Sequence, residues 1–290
     1  MTDSAPLPRS LVRATEIDVL PLDRVVERRE GYLVVRSPSN PRHYWGNLLV
    51  FDEPPRKGDA ERWESLFASE FAGDERVRHM TFAWDRADGS LGVAREELVP
   101  RGLELELLVG LIARAPDVRR HPRENHDVLV RALDPAPGAD ALLWDQIVEL
   151  QVAAREERFA EHAYRAFARS RLEDLRELFR AGRGAWYAAL DDAGSEVQGS
   201  CGVVVTGARG RFQAVDTAEA HRRRGVCSRL VVEAARTAAA DHGAQQLVIC
   251  ADPDYHALGL YESLGFRPRE RVAGVCRPPL EDTAGGGARG

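Results

Sequence analysis

Residues 211–238 read RFQAVDTAEAHRRRGVCSRLVVEAARTA, and this stretch constrains the fold more than any other. Val226, Leu230, Val231, Ala234, Ala235 and Ala238 recur at the spacing of a helix with one buried face. The preceding Arg211–Thr217 segment reads as a strand, so three consecutive arginines and Gly225 fall in a strand-to-helix connection. Such a connection offers backbone N–H groups at the positive end of a helix dipole, which suits an anion. Gly225, lacking Cβ, would let the backbone come close to a bound group. The competing reading is a solvated turn that Gly225 merely helps to bend. A nucleic-acid contact driven by bulk charge is disfavoured, because the chain carries a formal net charge of −6 and a pI near 5.8.

Length and composition set the frame. The 290 residues suffice for two domains, and 44% apolar with 30% charged residues permits a packed core. Lys57 is the only lysine, so arginine supplies nearly all the positive charge. Cys201, Cys227, Cys250 and Cys276 share no metal-ligand spacing and read as reduced thiols. No run of 18 apolar residues occurs, and MTDSAPLPRS lacks the hydrophobic region of a signal peptide. The expectation is a soluble, cytoplasmic protein with no membrane and no nucleic-acid partner.

Along the chain, residues 1–15 and the tail 281–290 read as flexible ends. Residues 31–36, 47–51, 79–84 and 103–113 read as strands, and GDAERWESLFASEFAG as a helix with Asp59 as N-cap. VAREELVPRG (93–102) reads as a further helix. The charged, proline-bearing segment 116–126 reads as a linker between an accessory domain (16–115) and a second domain (127–280). In that second domain HDVLVRAL, AWYAAL, CGVVVT, RFQAVDT, QQLVIC and 270–276 read as strands. Helices are expected at 141–154, within 164–182, at 225–241 and over YHALGLYESLG. The expected class is α/β, a central mixed sheet flanked by helices in the second domain, with a smaller α/β domain before it.

Two motifs at a fixed separation then point to a family. Arg222, Gly225 and Cys227 follow the Arg/Gln-x-x-Gly-x-Gly/Ala loop, with Cys227 in place of a smaller residue. Ala257, Leu260, Tyr261, Gly265 and Phe266 follow Ala-x-x-Leu-Tyr-x-x-x-Gly-Phe. Together they resemble the GNAT-type N-acetyltransferases over residues 126–276. The resemblance implies acetyl-CoA as co-substrate, held where the strands RFQAVDT and QQLVIC splay apart. It implies that main-chain groups of Val215, Asp216 and Thr217 pair with the pantetheine arm. It places the pyrophosphate on Arg222, Arg223, Arg224, Gly225, Val226, Cys227 and Ser228. It makes Tyr261 the general acid toward the departing thiolate, while a small-molecule or peptide amine attacks the thioester directly. No metal is implied.

The departures are specific. Arg211 stands where some members carry a catalytic glutamate, and Asp254 where many have asparagine. Asp216, Glu219, Glu157 and His162 remain candidates for the base by neighbourhood only. Trp186 is expected in the core rather than as a stacking platform. The order of elements in 58–112 is similar to the later half of the same fold, so the accessory domain reads as a degenerate copy. That half lacks the arginine-glycine loop and the tyrosine. The rival to an enzyme is a non-catalytic acyl-CoA-binding sensor or scaffold that has kept the cleft. A protein that binds no cofactor is the third reading.

Overall fold

The computed structural model describes residues 7–254 and 257–279. The expected flexible tail at 281–290 lies outside the described residues. The chain divides into two compact units: 1–110 with 269–290, and 111–268. The last strand is therefore counted with the first unit, where the sequence pattern had carried the second domain to residue 280.

In the first unit the strands run β1 (Val25–Arg29), β2 (Tyr32–Arg36), β3 (Leu48–Phe51), β4 (Met80–Trp84), β11 (Arg267–Arg277) and β5 (Glu104–Arg114), in that lateral order. β3 and β4 are parallel, joined through helix α2 (Asp59–Glu70), while β1–β2, β2–β3 and β4–β11 are antiparallel. α2 buries Ala60, Trp63 and Phe67, whose spacing makes one helical stripe. Trp63 stacks on Phe51 at 3.7 Å between ring centroids and meets Phe82 edge-on, so aromatic rings fill the space between helix and sheet.

Three expectations for this unit need correction. Helix α1 (Leu11–Asp18) occupies part of the expected flexible end; Ser10 accepts from the Arg13 N–H, and Val12, Ala14 and Ile17 are buried. Glu270 anchors that helix start by accepting from the N–H groups of Leu11 and Val12 at 3.0 and 2.9 Å. The N-cap of α2 is Gly58 in the left-handed region, not Asp59, whose carboxylate instead accepts from the Arg56 N–H at 2.8 Å. The segment VAREELVPRG forms one π turn (Ala94–Leu98) and one 3-10 turn (Val99–Arg101), because Pro100 supplies no N–H to continue an α-helix.

In the second unit the lateral order is β10 (Gln246–Ala251), β9 (Arg209–Thr217), β8 (Val197–Thr206), β7 (Gly184–Leu190) and β6 (Leu129–Ala132). Among the described residues β9 and β10 pair in parallel, while β6–β7, β7–β8 and β8–β9 pair antiparallel. Helices α3 (Ala141–Ala154) and α4 (Glu161–Arg180) pack on each other and on the sheet. Helix α5 (Val226–His242) lays Leu230, Val231, Ala234, Ala235 and Ala238 against β7 and β8. Trp186 and Tyr187 are both buried, in keeping with the core role expected of Trp186.

The segment expected to be a linker is packed. The Ala115 N–H donates to Gln245 O at 2.8 Å, Arg119 N–H to Leu264 O at 2.9 Å, and Asn125 N–H to Gly225 O at 3.1 Å. Residues 115–125 thus run as a strap across the ends of β10, α6 (Ala257–Ser263) and α5. Gly265 has φ +104, and a Cβ there would overlap the Asp117 carbonyl oxygen. Gly265→Ala should therefore lower stability by about 1–3 kcal/mol, the scale of one residue forced into such a conformation. Urea denaturation measures it, and an unchanged midpoint would show that the strap yields freely.

Candidate active site

Past Arg211 the two parallel strands part. The β9–β10 ladder holds Gln246↔Arg209, Leu247↔Gly210 and Val248↔Arg211, whereas β9 continues to Thr217 and β10 to Ala251. On its other edge β9 stays paired, with Ser200↔Asp216 and Gly199↔Thr217 in register. A bulge interrupts that ladder between Ser200 and Gly202, and Ala214 takes φ +42 there. Residues 212–217 consequently present one backbone edge that β10 does not cover. Backbone groups on such an edge need a partner from water or a ligand.

The loop after β9 is held by its own backbone. Ala218 N–H donates to Gln198 O at 2.9 Å, a 3-10 turn spans Glu219–His221, and Arg222 Nε donates to Thr217 O at 3.2 Å. Arg222, Arg223 and Arg224 are exposed, and Arg223 adopts φ +60. Gly225, at φ +78, is the N-cap of α5, and no side chain caps that helix. The first intrahelical bond runs from Arg229 N–H to Gly225 O at 3.1 Å, so the N–H groups of Val226, Cys227 and Ser228 have no intrahelical acceptor. Val226 and Ser228 are buried, and the Ser228 hydroxyl donates to Gly225 O at 3.3 Å. These two can offer a ligand only their main chain.

Gly225 has a reason to be glycine beyond the one its sequence context suggests. A Cβ on Gly225 would overlap the carbonyl oxygen of Arg123 and crowd the Asn125 nitrogen. The close approach that demands glycine is to the strap, on the protein side of the loop.

Tyr261, on α6, is buried, and its ring meets Phe266 at 6.4 Å between centroids. Phe266 in turn meets Phe212 of β9 edge-on at 5.9 Å. One aromatic chain therefore links the helix bearing Tyr261 to the strand that parts from β10. The two motifs, 39 residues apart at Arg222 and Tyr261, belong to one packed region.

Among the base candidates, Glu157, His162 and Glu219 are exposed, and only Asp216 is half-buried. Burial pushes the Asp216 carboxyl up to about 6, against the opposing pull of Arg222. Arg211 is buried, with Val248 of β10 as its ladder partner. Asp254 is exposed, its N–H donating to the Asp252 carboxylate at 2.7 Å. Burial, followed by the Asp216 charge, pushes the Cys227 thiol up to about 12, which disfavours the thiolate near neutral pH.

Sequence reasoning missed a group on the α3–α4 connection. Burial, then the charges of Asp216 and Glu156, push the Tyr164 phenol up to about 12. Desolvation and then the Asp252 charge push the Glu156 carboxyl above its ordinary value. Glu156, Tyr164, Asp216 and Asp252 therefore share one neighbourhood, drawn from α4, its preceding loop and the ends of β9 and β10. No spacing in the sequence announces it, because the four come from three separate segments. Among the described residues no group of three or more His, Cys, Asp or Glu is placed to hold a metal ion.

The first unit builds the equivalent place differently. β3 and β4 pair through Phe51↔Trp84, and the Asp85 N–H continues the ladder to Phe51 O at 2.8 Å. At the start of α2 the Gly58 N–H already donates to the Glu97 carboxylate, at 2.9 and 3.1 Å from its two oxygens. Asp59 and Glu61 add negative charge to the same helical turn. Strands that stay together and a helix start facing a carboxylate disfavour an anion there.

With this geometry in view, residues 182–268 match the acetyltransferase (GNAT) domain family. A GNAT acetyltransferase domain lies at residues 182–268 of the second unit. The matched span begins just before β7 and ends at the start of β11, so it holds both motifs but neither the strap nor α3 and α4. Solved structures extend the likeness of fold to nearly the whole chain. A functionally unknown conserved protein from Staphylococcus epidermidis is 13% identical, with a TM-score of 0.65 over 89% of this chain and 95% of its own. A GCN5-related N-acetyltransferase from Kribbella flavida is 14% identical, with a TM-score of 0.59 over 90% and 92%. A tandem GNAT protein from the clavulanic acid biosynthesis pathway is 16% identical, with a TM-score of 0.53 over 93% and 89%. No curated protein matches the sequence. The match supports acyltransferase chemistry in general terms for residues 182–268, in a family whose co-substrate is acetyl-CoA.

The Asp216 environment of this GNAT domain has a consequence for stability. An unfolded aspartate titrates near 3.9, whereas the folded carboxyl holds its proton up to about 6. Between those values the unfolded chain loses its proton first, so stability falls as pH rises through the window and levels off above it. Asp216→Asn should be more stable than the parent at pH 7.5, with the margin closing toward pH 4. Urea midpoints across that range test this; a margin independent of pH would contradict the burial of the carboxyl.

Proposed function

We propose that the second unit is an acetyl-CoA-dependent N-acetyltransferase acting on a primary amine of a small molecule or peptide, in the cytoplasm. The observation that carries this reading is the parting of β9 from β10 beyond Arg211, beside a helix start without a side-chain cap. Acetyl-CoA supplies an activated thioester carbonyl, which the amine attacks directly. The chain's residues suit such a partner. Val215, Asp216 and Thr217 lie on the edge of β9 that β10 leaves uncovered, where main-chain groups accept an amide-bearing arm. The N–H groups of Val226, Cys227 and Ser228 point as helix starts do toward an anion, with Arg222, Arg223 and Arg224 exposed around them. Tyr261 donates the proton to the departing thiolate, and Asp216 is the best-placed of the candidate bases.

One observation favours a second reading, an acyl-CoA-binding sensor without catalysis: a buried arginine, Arg211, occupies the place of a family glutamate. Thiol release from acetyl-CoA in the presence of a panel of amines separates the two. Turnover with any amine supports the enzyme, and tight binding without turnover supports the sensor. Tyr261→Phe should slow turnover by about 10²- to 10⁴-fold with cofactor affinity nearly intact, the range for a positioned acid. An unchanged rate would assign the proton to water or another group.

The chain should bind one acetyl-CoA, because in the first unit β3 and β4 stay paired and Glu97 occupies the α2 start. Calorimetric titration gives the stoichiometry directly, and a value near two per chain would defeat the argument.

A further inference from the structure

We infer that Glu124, on the strap outside the matched domain, is a positioning residue for the acetyl-CoA phosphate loop; this rests on the proposed function of that loop. Its side chain is 1% exposed, and its carboxylate meets two arginines through Oε1, while Oε2 is buried without a hydrogen-bond partner. Arg120 Nη1 donates to Glu124 Oε1 at 2.5 Å, and Arg229 Nη1 approaches the same oxygen at 3.4 Å. His126 Nδ1 lies 3.7 Å away. Both arginines also reach Glu233 Oε1, Arg120 at 2.6 Å and Arg229 at 3.1 Å. Arg229 and Glu233 are one turn apart on α5, so the network ties the strap to the first two turns of that helix. The next residue, Asn125, donates its N–H to Gly225 O at 3.1 Å, and Gly225 has no Cβ because the strap lies against it.

The consequence follows from the order of these contacts. The orientation of the first N–H groups of α5 depends on where Gly225 sits, and Gly225 sits where the strap holds it. The strap in turn is fixed at residue 124 by a carboxylate buried between two elements. A buried charge with one partner removed is costly, so the network responds as a unit and the strap shifts when Glu124 is neutralised. Tyr261 is on α6, which the strap touches at another point, Arg119 N–H to Leu264 O. Loss of Glu124 therefore alters the phosphate loop while leaving the aromatic chain from Tyr261 to Phe212 in place.

Glu124→Gln keeps the shape and removes the charge, and Glu124→Ala removes both. Each is purified as the full chain and compared with the parent by calorimetric binding of CoA, steady-state kinetics with an amine acceptor, and amide hydrogen exchange over 222–229 without ligand. The expected result is faster exchange over 222–229, about a tenfold rise in the Kd for CoA and the KM for acetyl-CoA, and kcat at saturating acetyl-CoA within twofold of the parent. Tenfold corresponds to about 1.4 kcal/mol. Faster exchange with unchanged CoA affinity in Glu124→Gln would overturn the inference, since the loop would have moved without consequence for the ligand. A fall in kcat with unchanged KM, the mark of a general structural defect, would overturn it too. If Glu124→Ala does not fold, Glu124→Gln decides by the same readouts, and Arg120→Met, which breaks the network from the strap side, must show the same rise in KM. A parent protein that binds no CoA would overturn the proposed function itself, and this inference with it; altered exchange in the variants would still distinguish that failure from an inert strap.

Discussion

The packing of a short irregular strap against two glycines is the constraint on which the second unit depends. Gly225 opens α5 and Gly265 closes the turn after α6, and each leaves room for a carbonyl oxygen of the same strap, Arg123 for one and Asp117 for the other. Irregular backbone is stable in such a position only when its polar groups are matched. Here the N–H groups of Ala115, Arg119 and Asn125 each find a carbonyl on a different element. The two glycines that stand in separate sequence motifs are thus held by one piece of chain, which brings the helix start and the tyrosine-bearing helix into a common frame.

Around that frame the sheet does something that pairing alone would not favour. β9 and β10 begin as a regular parallel pair and then separate, which leaves hydrogen-bonding groups on an open edge. A ligand with amide groups along an extended arm, as proposed for acetyl-CoA, would restore what the missing ladder would have supplied. In the first unit, Trp63 stacked on Phe51 fills the space above strands that stay together, and Glu97 satisfies the start of α2. The same kinds of element, strand, helix and strand, close on themselves in one unit and open in the other. The difference lies in a few contacts and not in the element order.

Most elements were legible because their periodicity is strong. The α5 stripe, the α2 stripe of Ala60, Trp63 and Phe67, and the β7–β9 strands all follow from alternation or helical spacing. What escaped was short or charged. β1 is VVERR, with too few apolar residues to stand out, and α1 is a short helix whose local Ser10 cap is reinforced by Glu270, more than 250 residues away. The strap carries Arg119, Arg120, His121 and Arg123 and so resembles a solvated linker; its burial rests on hydrogen bonds and ion pairs that leave no hydrophobic pattern.

The sequence by itself determined that a strand feeds an arginine-glycine loop and then a helix, and that a tyrosine precedes a glycine-phenylalanine pair at a set distance. Those are local facts, carried by residue spacing and by the conformations glycine permits. Only the tertiary structure decided why Gly225 must be glycine, that Asp216 alone among the base candidates is half-buried, and that Glu156, Tyr164, Asp216 and Asp252 share one neighbourhood. Burial and charge proximity depend on which distant segments fold together. A spacing rule along one segment contains no information about what packs against it from another.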